Sequence, residues 1–176
     1  MIRKGKLNDA ESIFSLVDLY STKGQMLHRS LKEIEKNIDD FLVYEQDQEI
    51  AGACSLKYGW DHLVEIRSLA VGPTYSRQGF ATGIVQECIE QAQQHSDIEG
   101  IFVLTYAIPL FLKLGFEIIS KSAFPLKVWE DCMSCSKREA CDETAMFRTL
   151  KPVETSFLNL VKPSSSQQKI AIPNIV

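Results

Sequence analysis

Residues 62–104 read, in order, as a long strand, a loop of small residues, a helix and a short strand without a polar side chain. In the first strand, His62 to Val71, the residues Val64, Ile66, Ser68 and Ala70 alternate with Leu63, Glu65, Arg67, Leu69 and Val71. After a Gly72-Pro73 turn, Ala81 to Gln94 carries Ile84, Val85, Cys88, Ile89 and Ala92 at helical spacing. Ile101-Phe102-Val103-Leu104 is then apolar throughout, the composition of a central strand covered on both faces. Helix and strand alternate along this stretch, which reads as an α/β domain.

The flanking sequence alternates in the same manner. Ile2-Arg3-Lys4 reads as a short strand, and Asp9 is expected to cap a helix bearing Ile13, Leu16, Val17 and Tyr20. Ser30-Leu31-Lys32-Glu33 has the form of a capping box, which opens a second helix reaching about Asn37. Residues 22–29 between them lack periodicity and read as an ordered loop. Phe41–Glu45 and Ile50–Leu56, joined by Gln46-Asp47-Gln48, form a hairpin by composition. A helix over Ile108–Leu114 stops at Gly115, and strands follow at Phe116–Ile119 and Ala145–Leu150. Trp60-Asp61-His62 reads as a hairpin turn. From Lys151 onward Pro152, Pro163 and Ser164–Gln168 have the character of a linker, ending in the apolar Ile170–Val176. The domain is therefore assigned to residues 1–150, with 151–176 as a C-terminal extension.

The chain has 176 residues, enough for one domain with a full core. Its net charge of −4 and pI of about 5.4 give no general attraction to nucleic acid or to an anionic membrane. No apolar run approaches the roughly 18 residues needed to span a bilayer. The basic Arg3, Lys4 and Lys6 lead into Leu7-Asn8-Asp9-Ala10-Glu11, which is not a signal-peptide core. Five cysteines with no export signal are expected as thiols in a reducing cytoplasm. Cys54 and Cys88 fall on a strand and a helix face and read as core. Cys132, Cys135 and Cys141 have a metal-like spacing without a local fourth ligand, which Asp142, His28, His62 or His95 would have to complete. Structural zinc, reduced thiols in a loop and a disulfide in oxidised protein all remain open there. None of the chemistry read below requires a metal.

The segment Leu69-Ala70-Val71-Gly72-Pro73-Thr74-Tyr75-Ser76-Arg77-Gln78-Gly79-Phe80-Ala81-Thr82 runs from a strand through small residues straight into a helix. The first N–H groups of a helix have no partner within it, and the helix dipole is positive at that end. A pyrophosphate suits such a place, provided side chains are small enough for its oxygens to reach the backbone, as at Gly79 and Ala81. An ordinary strand-to-helix turn has the same local pattern.

Gly79-x-Ala81 resembles the acyl-CoA-binding loop of the GNAT acetyltransferase superfamily, with Ser76 where an Arg or Gln is usual and Arg77 beside it. The order of elements and the segment Pro109-Leu110-Phe111-Leu112-Lys113-Leu114-Gly115-Phe116 are similar to that superfamily too. Met26–Ser30, Glu65–Val71, Phe102–Thr105 and Lys127-Val128-Trp129 further resemble the acetyltransferase domain of bacterial N-acetylglutamate synthases, in particular the short stand-alone form. The resemblance implies a GNAT fold: a mixed, mostly antiparallel twisted sheet with helices on both faces. Acetyl-CoA would be the co-substrate, its pantetheine arm entering a splay between strands 63–71 and 101–104. The implied reaction is acetyl transfer to the α-amine of an amino acid, glutamate foremost, as in arginine biosynthesis.

For that reaction the cofactor contacts are expected at Leu69, Ala70, Val71, Ser76, Arg77, Gln78, Gly79, Phe80, Ala81 and Thr82. Two carboxylates on the acceptor call for guanidinium groups at fixed positions, and Arg29 and Arg67 are the candidates, with Lys127 a third. Glu65 is expected to take the amine proton, or else simply to pair with Arg67. Where many relatives have an acid tyrosine this chain has Phe111. Tyr106 is the remaining candidate acid, or a packing and substrate contact. An N-acetyltransferase for another amine and a non-catalytic acyl-CoA sensor are the competing readings. A homodimer paired through sheet edges or the 170–176 end is a further expectation.

Overall fold

The computed structural model describes residues 1–60, 62–124, 135, 137 and 140–151. Calls on residues 152–176, Lys127 and Cys132 therefore lie outside the described residues, as does Asp61. Along the chain come β1 (Ile2–Lys4), α1 (Ala10–Ser21), α2 (Leu31–Lys36), β2 (Phe41–Gln46), β3 (Glu49–Trp60) and β4 (Leu63–Val71). They are followed by α3 (Phe80–Gln94), β5 (Gly100–Thr105), α4 (Ile108–Lys113), β6 (Glu117–Ile118) and β7 (Thr144–Thr149). Short-range chemistry explains several boundaries. Asp47 and Gln48, at φ 51° and 67°, make the two-residue turn between β2 and β3, since both central residues of a turn that follows the strand twist need positive φ. The capping box at α2 closes in both directions: Ser30 Oγ accepts from the Glu33 amide at 3.3 Å, and the Ser30 amide donates to Glu33 Oε2 at 2.9 Å.

Asp9 departs from its expected role. It stands at the start of α1, but its side chain makes no capping bond there. Its carboxylate instead accepts from the Lys6 amide at 2.7 Å and from both Nη atoms of Arg3 at 2.7 and 3.0 Å. A bidentate guanidinium is the stronger partner, and it ties α1 to β1. The contact holds the Asp9 carboxyl below the usual carboxylate range.

The strands form one mixed sheet in the order β1-β2-β3-β4-β5-β7-β6. Among the described residues only β4 and β5 pair in parallel; the other pairings are antiparallel. α3 and α4 cover one face, where Ile84, Val85, Cys88 and Phe111 meet Leu42, Leu56, Ile66, Ile101 and Val103. α1 and α2 cover the β2–β3 half of the other face, with Ile13, Val17 and Ile34 on Val43 and Ala53. Cys54 and Cys88 are fully buried, as expected for core thiols. Ile101 and Phe102 are also fully buried and Val103 nearly so, which matches a strand covered on both faces.

The alternation expected along β4 fails at one residue, and that failure builds the site. Ala70 pairs with Ala53 and Arg67 with Ser55, so Ser68 and Leu69 both stand opposite Cys54. This is a β-bulge, with Ser68 at φ 51°. Past it, every side chain switches face. Ala70 joins the face of Arg67 rather than that of Ile66, and Leu69 packs with the α3 cluster. Pairing between β4 and β5 ends just before the bulge, at Ile66 opposite Val103. A bulged strand bends, so the two central strands part there and their edges are left open to one another.

Candidate active site

The parted strands open onto a cavity of about 350 Å³. Glu65, Arg67 and Leu69 line it from β4, Leu104 and Tyr106 from β5 and the residue after it, Arg29 from the loop before α2, and Glu143 from the approach to β7. An adjoining pocket of about 180 Å³ shares Arg29, Arg67 and Ser68 with it. The two candidate guanidinium residues thus stand where two hollows meet. Glu65, opposite Phe102 in the register, and Arg67, two residues on, lie on one sheet face. The Glu65 Oε2 is 3.8 Å from Arg67 Nε, with both side chains largely buried. Arg29 Nη1 is 3.7 Å from Glu33 Oε1, which leans the guanidinium on the helix it precedes.

At the end of β4 lies the loop that the sequence singled out. Gly72 donates to Ala51 O at 2.8 Å and Tyr20 Oη donates to Val71 O at 2.6 Å, fixing where the strand stops. A single turn follows, closed by Tyr75 N to Gly72 O at 2.9 Å and Ser76 N to Pro73 O at 3.2 Å. Arg77 (φ 59°) and Gly79 (φ 88°) then swing the chain into α3, whose first internal bond is Gly83 N to Gly79 O at 2.9 Å. The amides of Arg77, Gln78, Gly79, Phe80, Ala81 and Thr82 consequently donate to no group among the described residues. A Cβ built on Gly79 would meet nothing within 4 Å, so the space before the helix is open. Phe80 turns inward instead, with its ring 4.3 Å from Tyr44 and 5.5 Å from Tyr75, and pins the start of α3. Gln78 Nε2 braces the loop on Thr74 O at 2.9 Å. Ser76 differs from the sequence expectation in one respect: its amide is spent closing the turn, so the open row begins at Arg77.

Phe111 is buried and meets Phe116 edge-on at 5.1 Å, leaving that end of the cavity apolar. Tyr106 lines the cavity, but its hydroxyl donates to Asp142 Oδ1 at 2.5 Å and accepts from Lys137 Nζ at 3.0 Å. Burial, and then the Asp142 carboxylate, push its pKa up. Asp142 is thereby committed to a tyrosine and a lysine rather than to the cysteines. Cys135 and Cys141 are free thiols, and no cluster of metal-ligating side chains occurs among the described residues. His62 lies at the opposite end of β4, its Nδ1 3.0 Å from Asp97 O.

Tyr20 and Glu143 also line the cavity, and neither was singled out for it from sequence. Tyr20 could be read only as a core position of α1, because its bond to Val71 spans 51 residues. Glu143 has no local motif; it reaches the cavity because β7 inserts beside β5, with Thr144 opposite Thr105. Burial raises its pKa.

An open row of amides at a helix start, beside a split sheet with buried acid and guanidinium groups, meets the needs of an acyltransferase that draws on a CoA thioester. The chain belongs to the acetyltransferase (GNAT) family, whose model matches residues 10–116, and is an acetyl-CoA-dependent N-acetyltransferase. It is 36% identical over 149 residues to an uncharacterized N-acetyltransferase of Chlorobaculum tepidum, covering 85% of this chain and 96% of that one. It is 27% identical over 134 residues to an amino-acid acetyltransferase of Mycobacterium tuberculosis, covering 74% and 76% of the two chains. The N-acetylglutamate synthase of Neisseria gonorrhoeae, solved with coenzyme A and N-acetyl-glutamate, superposes with a TM-score of 0.77 at 25% identity. That match takes in 86% of this chain and 35% of the gonococcal one. Further amino-acid acetyltransferases are matched over only 28% of their own length.

Proposed function

We propose that this protein moves the acetyl group of acetyl-CoA to the α-amine of an amino acid, with L-glutamate as the acceptor. The observation that carries this reading is the convergence of Arg29 and Arg67 on one wall shared by two joined hollows. A dicarboxylate needs two cationic groups at a fixed separation, and guanidinium is the group that matches a carboxylate edge to edge. A polyamine would be repelled by the same pair. The relatives named amino-acid acetyltransferase support the class of acceptor.

The residues divide the work as follows. The amides of Arg77 to Thr82 receive the diphosphate, at the positive end of α3. The open edge of β4 over Leu69, Ala70 and Val71 receives the pantetheine arm, and its amides polarise the thioester carbonyl. Glu65, buried beside the acceptor wall, takes the proton of the attacking amine. Phe111 offers no acid to the departing sulfur, which an alkyl thiolate with a conjugate pKa of about 8.5 does not strictly require. Holding amine and thioester in register supplies much of the acceleration.

A thiol-release assay with acetyl-CoA and a panel of amino acids tests it. Turnover with glutamate well above other acceptors supports the proposal, and turnover with another amine alone replaces glutamate. The changes at Ser76 and Phe111 favour a second reading, a sensor that binds acyl-CoA without turnover; binding with no thiol released from any acceptor is its signature.

A further inference from the structure

The cavity holds carboxylates as well as guanidinium groups, and they differ in what they already bind. Glu65 stands against Arg67, and Asp142, beside the mouth, is held by Tyr106 and Lys137. Glu143 forms no hydrogen bond or ion pair among the described residues. Lys121 and Lys137 attract it from a distance, but Lys121 Nζ donates to Cys141 O at 2.7 Å and Lys137 Nζ is engaged with Asp142 and Tyr106. A half-buried carboxylate without a partner among the described residues costs stability, and a ligand cation removes that cost.

Its position relative to the guanidinium groups follows from the register. Glu65 pairs with Phe102 and Phe102 with Phe147, so residues two and four before Phe147 fall on the same face as Glu65 and Arg67. Glu143 is four before Phe147. It therefore shares the face of the acceptor wall, yet comes from the β7 side of the split, across from β4. A ligand lying in the cavity meets cations on one side and this anion on the other.

We propose that Glu143 holds the α-ammonium of the acceptor, opposite Arg29 and Arg67, so that the cleft selects a zwitterion over an anion or a simple amine. This rests on the amino-acid acetyltransferase reading and specifies how that class of acceptor is told apart. A dicarboxylate without an amine would satisfy only the guanidinium wall. An amine without carboxylates would satisfy only Glu143.

The test uses calorimetry on CoA-saturated protein with L-glutamate and with glutarate, which lacks the amine, together with steady-state kinetics. Wild-type protein should bind glutamate about tenfold or more tightly than glutarate, the factor expected of a charge-assisted hydrogen bond. Glu143→Gln should bring the two affinities within about threefold by weakening glutamate alone, and should raise the glutamate KM more than it lowers kcat. Glu143→Asp should recover part of the preference. A variant that weakens both ligands equally, or one that lowers kcat at unchanged KM, overturns the assignment. So does a variant that keeps the wild-type preference, and in that case the glutamate reading survives. Wild-type protein that binds neither ligand and acetylates no amino acid overturns both.

Discussion

Ala81→Pro isolates the backbone amides of the loop from everything else the loop does. Ala81 is the second residue of α3, and its N–H has no acceptor among the described residues. Proline deletes that N–H and adds a ring where it pointed. The first turn of a helix tolerates proline because no internal bond is lost. This chain already does so in α4, where Pro109 is likewise the second residue. The substitution should therefore lower stability by about 1 kcal/mol or less, or roughly 2–4 °C in unfolding temperature for a chain of this size. A hydrogen bond to a charged diphosphate is worth about 1.5–3 kcal/mol, so the dissociation constant for CoA should rise roughly ten- to 150-fold. Calorimetry with CoA and a thermal melt measure the two effects separately. If the variant stays folded and binds CoA within about twofold of wild type, the diphosphate is not held by these amides and the reading of the loop is wrong.

Four further outcomes are expected. Arg67→Ala should raise the glutamate KM by roughly tenfold or more and leave that for acetyl-CoA near normal, since the guanidinium faces the acceptor hollows; equal loss on both substrates would assign Arg67 to the fold. Gly100→Ala should lower stability by about 1–3 kcal/mol, read from the melting temperature, because the added Cβ would sit 2.2 Å from Phe147 Cζ in the core between β5 and β7. Asp9→Asn should flatten the acid limb of a stability–pH curve. The folded-state pKa of Asp9 is depressed, so its contribution is present above the ordinary value of about 3.9 and is lost as pH falls below it. Glu143→Gln should raise the melting temperature at pH 7 and not near pH 4. A raised folded-state pKa means that the native state binds the proton more tightly, so stability falls as pH climbs above about 4.3, and the amide removes that loss.

Much of the fold follows from local rules. The capping box at Ser30, the hairpin turn at Asp47 and Gln48, the apolar run at Ile101–Leu104 and the stop at Gly115 each act over a few residues. Their elements lie within a residue or two of where periodicity and turn chemistry put them, except that β3 runs on to Trp60, four residues past the expected end at Leu56. The open row of amides before α3 is legible for the same reason, since the lack of partners in a first helical turn is a property of any helix.

What sequence could not contain depends on contacts between distant segments. The bulge at Ser68 and Leu69 keeps an alternating composition but exchanges the faces of Leu69, Ala70 and Val71, and only pairing with Cys54 reveals it. Asp9 has the residue type and place of a helix cap, yet the guanidinium of Arg3 outcompetes the helix for its carboxylate. Glu143 carries no motif at all. It enters the cavity because β7 slides between β5 and β6 rather than joining the edge, a choice set by burial of Phe147 and Met146 across two neighbours. Helices, turns and the anion-ready loop were thus written in short-range physics. The split in the sheet and the charges that face each other across it were decided by tertiary pairing, because side-chain direction in a strand is fixed only when its partner's register is known.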